Sequence, residues 1–223
     1  MPQESLGSLS SSCMALLEPL FKVKSYQDGE IIHARGERKA GLCVVLEGSV
    51  KVGNYGSDGR YFLSKLLKRH ESFGEFTVFS QLPRTHTSEA KGETKIGYIS
   101  PTKLKRALNT EPAIALGLLQ SLSTRLHLSL EALDDAKRLP VLVRVAKMIY
   151  AINLEEGKIE NRHLSQDDIA TQLGVSRMVV STSLKQLTEL GLIKKGYRHI
   201  QILDLEKFSA WISEQQQTME LLG

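Results

Sequence analysis

The 223 residues carry 29 Lys and Arg against 25 Asp and Glu, a formal net charge of +4, with 41% hydrophobic and 24% charged residues. These proportions fit globular domains and exclude a disordered chain, while runs as short as Ile114 to Leu119 exclude a membrane-spanning helix. Two cysteines, Cys13 and Cys43, exclude a disulfide framework and a four-thiolate metal site. Met1 to Ser5 have neither the basic nor the apolar stretch of a secretory leader, so a cytoplasmic chain is expected.

From about residue 20 to residue 100, short apolar runs alternate with glycine steps. Asp28-Gly29, Arg35-Gly36, Glu47-Gly48, Tyr55-Gly56, Asp58-Gly59 and Lys91-Gly92 mark turns, because glycine takes a positive φ without a Cβ clash. Between them lie β-formers such as Leu42-Cys43-Val44-Val45-Leu46 and Val50-Lys51-Val52. The pattern predicts an antiparallel β-roll of the jelly-roll kind.

After a short helix at Thr102 to Leu108, Pro112 suits the first turn of a long one. Ala115, Leu119, Leu122, Leu126, Ser129, Leu133 and Ala136 follow a 3–4 spacing over about three heptads, the seam of a helix that pairs with its own copy. The alternative is a helix packed only on its own roll. Leu139-Pro140 should end this helix and begin another that runs to about Asn153, followed by a loop at Glu155 to Lys158. The predicted organisation is residues 1–110 as a sensing roll, 111–139 as a dimerisation helix and 140–223 as a helical domain. The fold class is α+β.

Ser165 with Asp168 predicts a capping box that opens a short helix carrying Ile169, Ala170 and Leu173. Gly174 then breaks it, and Ser176 caps a second helix that buries Val180, Leu184 and Leu187. Helix, glycine turn and second helix form a helix-turn-helix. Its outward residues, Arg177, Met178, Ser181, Thr182 and Lys185, are placed to meet the major groove of double-stranded DNA. Leu192 to Ile202 reads as a strand, a turn and a strand, a wing whose Lys194, Lys195 and Arg198 suit phosphate contacts. Asp204 caps a last helix with Phe208, Trp211, Ile212, Met219 and Leu222 on its apolar stripe.

Charge supports this reading only locally. Before Pro140 there are 19 basic and 15 acidic residues, and from it onward 10 of each, so the +4 lies outside the winged helix. Between Gly174 and Ile200, by contrast, five basic residues face one acidic.

A β-roll, a long dimerising helix and a C-terminal winged helix resemble, in that order, the catabolite activator / fumarate–nitrate regulator superfamily of bacterial transcription factors. The stretch from Phe73-Gly74-Glu75 through Pro83-Arg84-Thr85 resembles that family's cyclic-nucleotide phosphate cassette. The resemblance implies that Gly74, Glu75, Arg84 and Thr85 hold an effector such as cyclic AMP or cyclic GMP. Arg84 would grip the phosphate, Thr85 would add a hydroxyl, and Glu75 would accept from a ribose hydroxyl and balance Arg84. Ser129 would approach the purine.

The departures are His86, where the family has a small residue, and Leu130, where it has a second hydroxyl beside Ser129. Met178 and Thr182 replace the Glu and Arg of members that read the common operators, so a different operator is expected. The resemblance further implies a homodimer on near-palindromic DNA, RNA polymerase as a partner if the protein activates, no catalytic residues and no membrane. Two separated cysteines cannot hold an iron–sulfur cluster. Two alternatives remain: a roll that binds no nucleotide or another effector, and a cupin-like metal enzyme fused to a winged helix. The second lacks a His-x-His motif, and no metal ligands are assigned.

Overall fold

A computed structural model describes residues 7–57, 59, 61–156, 165–196 and 199–222. The chain divides between His127 and Leu128 into two compact units.

The first unit is built on one antiparallel sheet of β1 (Lys22–Tyr26), β2 (Ile31–His33), β3 (Leu42–Tyr55), β4 (Tyr61–Leu67), β5 (Ser72–Phe73) and β6 (Thr87–Ile99). β3 and β6 lie side by side at its centre, with β1 beyond β6 and β4 beyond β3. Alternation along the strands separates two cores. Cys43, Val45, Val50 and Ile96 join Leu67 and Phe73 in one. Leu42, Val44 and Ile99 face the other, against α1 (Ser11–Leu17), α3 (Pro101–Thr110) and the start of α4 (Pro112–Arg138). Helix α1 is absent from the sequence expectation. Ser10 caps it, its hydroxyl accepting from the Cys13 N–H at 3.3 Å.

Two of the expected glycine turns are corrected. Gly48 and Gly92 lie inside β3 and β6 at φ of +73° and +71°, and the β3–β6 pairing shifts register around Glu47 and Ser49. These are bulges that bend continuous strands. A Cβ at Gly48 would collide with the Glu93 carbonyl oxygen, so glycine is required there.

The second unit holds the end of α4, then α5 (Val141–Glu156), α6 (Gln166–Leu173), α7 (Arg177–Glu189), the hairpin β7 (Ile193–Gly196) and β8 (His199–Ile202), and α8 (Leu205–Leu222). Val145, Ile149, Ile169, Val180, Leu184, Leu187 and Phe208 form its core, with Trp211 half-buried against it. Asp204 caps α8, its carboxylate accepting from the Lys207 N–H at 3.0 Å. Helix α4 ends at Arg138 before Pro140, as the proline dictates. Helix α5 runs past Asn153 and takes Glu155 and Glu156 out of the expected loop, whose Gly157 and Lys158 lie outside the described residues. The side chains of Met219 and Leu222 also lie outside them.

The called seam positions of α4 divide by exposure: Leu119, Leu126, Ser129, Leu133 and Ala136 are exposed, while Ala115 and Leu122 are half-buried. Ile114, Gly117, Leu118 and Ser121 are buried in the first unit, where Ile114 and Leu118 join its core. The exposed leucines are Leu116, Leu119, Leu126, Leu130 and Leu133. Leu116 and Leu130 add two exposed leucines that the spacing did not select. Within the first unit the roll buries the face of Ile114, Leu118 and Ser121 and leaves Leu116, Leu119 and Leu126 open.

Candidate functional site

In the first unit Gly74 and Arg84 of the cassette come together. Gly74 adopts φ +96° between β5 and the short helix α2 (Glu75–Phe79). A Cβ there would collide with the Gly41 carbonyl oxygen and come within 3.0 Å of Arg84 Nη1, so the glycine permits backbone and guanidinium to meet. Arg84 is buried, at 7% exposure. Its Nη2 reaches the Lys39 carbonyl at 3.5 Å, and its Nε–H has no acceptor among the described residues.

Glu75 does not balance Arg84. Its Oε1 accepts from Arg125 Nη2 and from the Ser72 hydroxyl, both at 2.6 Å. Arg125 Nη1 also donates to the Ser72 carbonyl at 2.7 Å. Sequence reasoning missed Arg125. Its signal was position, since Arg125 falls four residues after buried Ser121 and seven after buried Leu118, on the ridge that faces the core. A cation on a buried ridge calls for a carboxylate. Arg84, in turn, has no carboxylate within ion-pair distance among the described residues.

The charge of Arg84 is felt by its neighbours. Burial first, and the Arg84 cation second, lower the pKa of His33, against the pull of Glu37, whose carboxylate meets His33 Nδ1 at 3.1 Å. His33 Nε2 lies 3.6 Å from Cys43 Sγ. Burial pushes the Cys43 thiol up to about 12, so it stays protonated at neutral pH. Thr85 is exposed, and its hydroxyl lies 2.9 Å from His86 Nδ1. Ser129 is exposed on α4 in the second unit. Among the described residues no group of three or more His, Cys, Asp or Glu is placed to hold a metal, and no helix there is long and apolar enough to cross a membrane.

In the second unit the local signals give a helix-turn-helix. Ser165 and Asp168 form the reciprocal capping box of α6, and Gly174 closes it at φ +65°. Ser176 caps α7, accepting from the Val179 N–H at 3.3 Å. Val180, Leu184 and Leu187 are fully buried, and Ala170 of α6 is buried in the same core. Arg177, Met178, Thr182 and Lys185 point outward, whereas Ser181 is half-buried at the edge of that face. Arg177 Nη1 lies 3.5 Å from Asp167, an exposed pair that a phosphate or base can displace. Lys194 and Lys195 are exposed on β7, paired with Gln201 and Ile200 of β8. Arg198, expected at the wing tip, lies outside the described residues.

Two family models match the chain, the cyclic nucleotide-binding domain over residues 23–111 and the Crp-like helix-turn-helix domain over residues 143–211. The chain is 28% identical over 204 residues to a CRP-like cAMP-activated global transcriptional regulator of Mycobacterium tuberculosis, covering 89% of this chain and 91% of that one. Among solved structures, it resembles a CooA mutant from Carboxydothermus hydrogenoformans with a TM-score of 0.76 at 17% identity, over 93% of this chain and 99% of that one. It also resembles the c-di-GMP responsive regulator CLP of Xanthomonas campestris, with a TM-score of 0.73 at 18% identity, over 87% and 100%. At those identities the two structures speak for the fold.

Proposed function

The chain belongs to the catabolite activator / fumarate–nitrate regulator superfamily of transcription regulators, and from that premise we propose a homodimer that binds near-palindromic DNA under control of a small anionic effector, a cyclic nucleotide. The observation that carries the effector is Arg84. A buried guanidinium with no carboxylate partner, and with one N–H lacking an acceptor, is an unstable arrangement that a phosphate relieves. Gly74 brings backbone to the same point, and Glu75 is held by Arg125 with its carboxylate fixed for a ribose hydroxyl. Thr85 beside Arg84 and Ser129 on α4 are assigned the remaining contacts to phosphate and purine.

The exposed leucine stripe of α4 supports association of two copies. Two recognition helices related by a two-fold axis would meet half-sites about 10–10.5 bp apart, with Arg177, Met178, Ser181, Thr182 and Lys185 at the bases and Lys194, Lys195 and Arg198 at phosphates. Effector binding beside α4 would shift the balance between dimer arrangements. RNA polymerase joins the partners if the regulator activates.

One observation favours a second reading, in which the same DNA-binding dimer senses another effector. His86 Nδ1 engages the Thr85 hydroxyl at 2.9 Å and competes with a phosphate for it. Thermal unfolding with added ligand separates the two. A cyclic nucleotide at 100 times its dissociation constant adds about 2.7 kcal/mol of stability. No shift with millimolar cyclic AMP or cyclic GMP would favour the second reading.

A further inference from the structure

The outward face of α7 carries a chemistry that hydrogen bonding does not explain. Met178, Thr182 and Lys185 are four and three residues apart, one stripe on the side of the helix away from Val180, Leu184 and Leu187. Met178 is 77% exposed in the first turn of the helix, where a recognition helix meets base edges. Thr182 donates its hydroxyl hydrogen to the Met178 carbonyl at 3.0 Å, which leaves its methyl and an accepting oxygen, but no donor, for a base. Val179, beside them, is 38% exposed. The only strong donor on the first turn is Arg177, which has no such tie to the backbone and reaches Asp167 instead.

In the major groove each base pair shows a distinct pattern. Guanine offers two acceptors to an arginine, cytosine offers an amino donor, and thymine offers a C5 methyl. Met178 accepts nothing from a cytosine amino group, and a thioether against a thymine methyl buries two apolar surfaces. We infer that α7 reads a guanine through Arg177 and, at the adjoining base pair, a thymine methyl through Met178, with the Thr182 methyl as a second apolar contact. The inference rests on the DNA-binding reading above and names the bases that reading leaves open. It follows that the operator half-site is marked by a thymine where a carboxylate in place of Met178 would select cytosine.

The test uses the full-length protein. Operators are first selected from random duplexes, with and without cyclic AMP, and each thymine of the selected site is then replaced by deoxyuridine, which removes only the C5 methyl. One thymine in each half-site should weaken binding about four-fold on replacement, and about fifteen-fold when both half-sites are changed, the effect of one buried methyl at each. Met178→Ala should lower affinity for the thymine operator and show no further loss with deoxyuridine. Met178→Glu should move the preference at that base pair from T·A to C·G. Because Met178 is exposed, neither variant is expected to disturb folding. Selected operators whose thymines all tolerate deoxyuridine, a deoxyuridine penalty that persists in Met178→Ala, or an unchanged preference in Met178→Glu would each overturn the assignment while leaving DNA binding intact. Selection that enriches no sequence would overturn the DNA-binding reading itself, and the assignment with it.

Discussion

Glu75 is bound to Arg125, fifty residues further along the chain, at 2.6 Å, and not to Arg84, nine residues away. Both partners are largely buried, at 7% and 18% side-chain exposure, so removing one strands the other. Arg125→Ala should destabilise the N-terminal unit by roughly 3 kcal/mol, the usual penalty for an uncompensated buried charge. Glu75→Gln combined with Arg125→Met should recover most of that loss. Urea unfolding of the three proteins checks this, and equal losses in the single and double variants would argue against a coupled pair.

Arg84 should behave in the opposite way. Its guanidinium lies buried without a carboxylate, so Arg84→Met should leave the ligand-free unit as stable as before or raise it by about 1 kcal/mol. The same variant should lose the thermal shift given by a cyclic nucleotide and keep salt-dependent DNA binding. A shift retained in Arg84→Met would remove the phosphate from this site.

What the sequence revealed tracks how local each interaction is. The Ser165–Asp168 capping box, Gly174 and the Ser176 cap are decided within four residues, and they formed as expected. Gly48 and Gly92 were legible as positive-φ sites but not as bulges, because only the β3–β6 pairing makes the difference. The partner of Glu75 was invisible for the same reason. On α4, seams through Leu122 or through Leu130 fit the 3–4 spacing equally well. Which of these residues the fold buries, as it half-buries Leu122, is a tertiary fact.

His33 links pH to stability. Burial, then Arg84, lowers its folded pKa below the 6.5 of the unfolded chain. As pH falls through 6.5, the unfolded chain takes up a proton that the folded roll resists, so stability declines until the folded pKa is passed. It is complete above that window. His33→Gln should flatten the fall in thermal midpoint between about pH 7.5 and 5.5, and an anion on Arg84 should shrink it in the unaltered protein. An unchanged pH profile in His33→Gln would assign the effect to other groups.

Base and phosphate contacts should separate cleanly in the winged helix. Arg177→Ala should reduce affinity by roughly 1–3 kcal/mol and relax the preference at one base pair per half-site. Lys194→Ala, on the exposed face of β7, should weaken all duplexes alike and reduce the salt slope by about 1. Binding to a panel of single-base operator variants, repeated at several salt concentrations, distinguishes the two. A uniform loss in Arg177→Ala would make it a phosphate contact.

The exposed leucine stripe on α4 makes a sharper demand than a generic seam. Leu126 and Leu130 are exposed at 61% and 56%, so Asp at either position leaves the roll's own core intact. Each leucine buried in a dimer contributes about 1.5 kcal/mol or more and does so twice, so Leu130→Asp should raise the dimer dissociation constant by over roughly a hundred-fold. Leu122, half-buried within the first unit, should respond differently, with Leu122→Asp lowering the thermal midpoint more than it weakens association. Sedimentation equilibrium and thermal unfolding on both variants read the two effects apart. If Leu122→Asp dissociates the dimer and Leu130→Asp does not, the interface runs along the face first read from spacing, and the helix must turn on its roll when two copies meet.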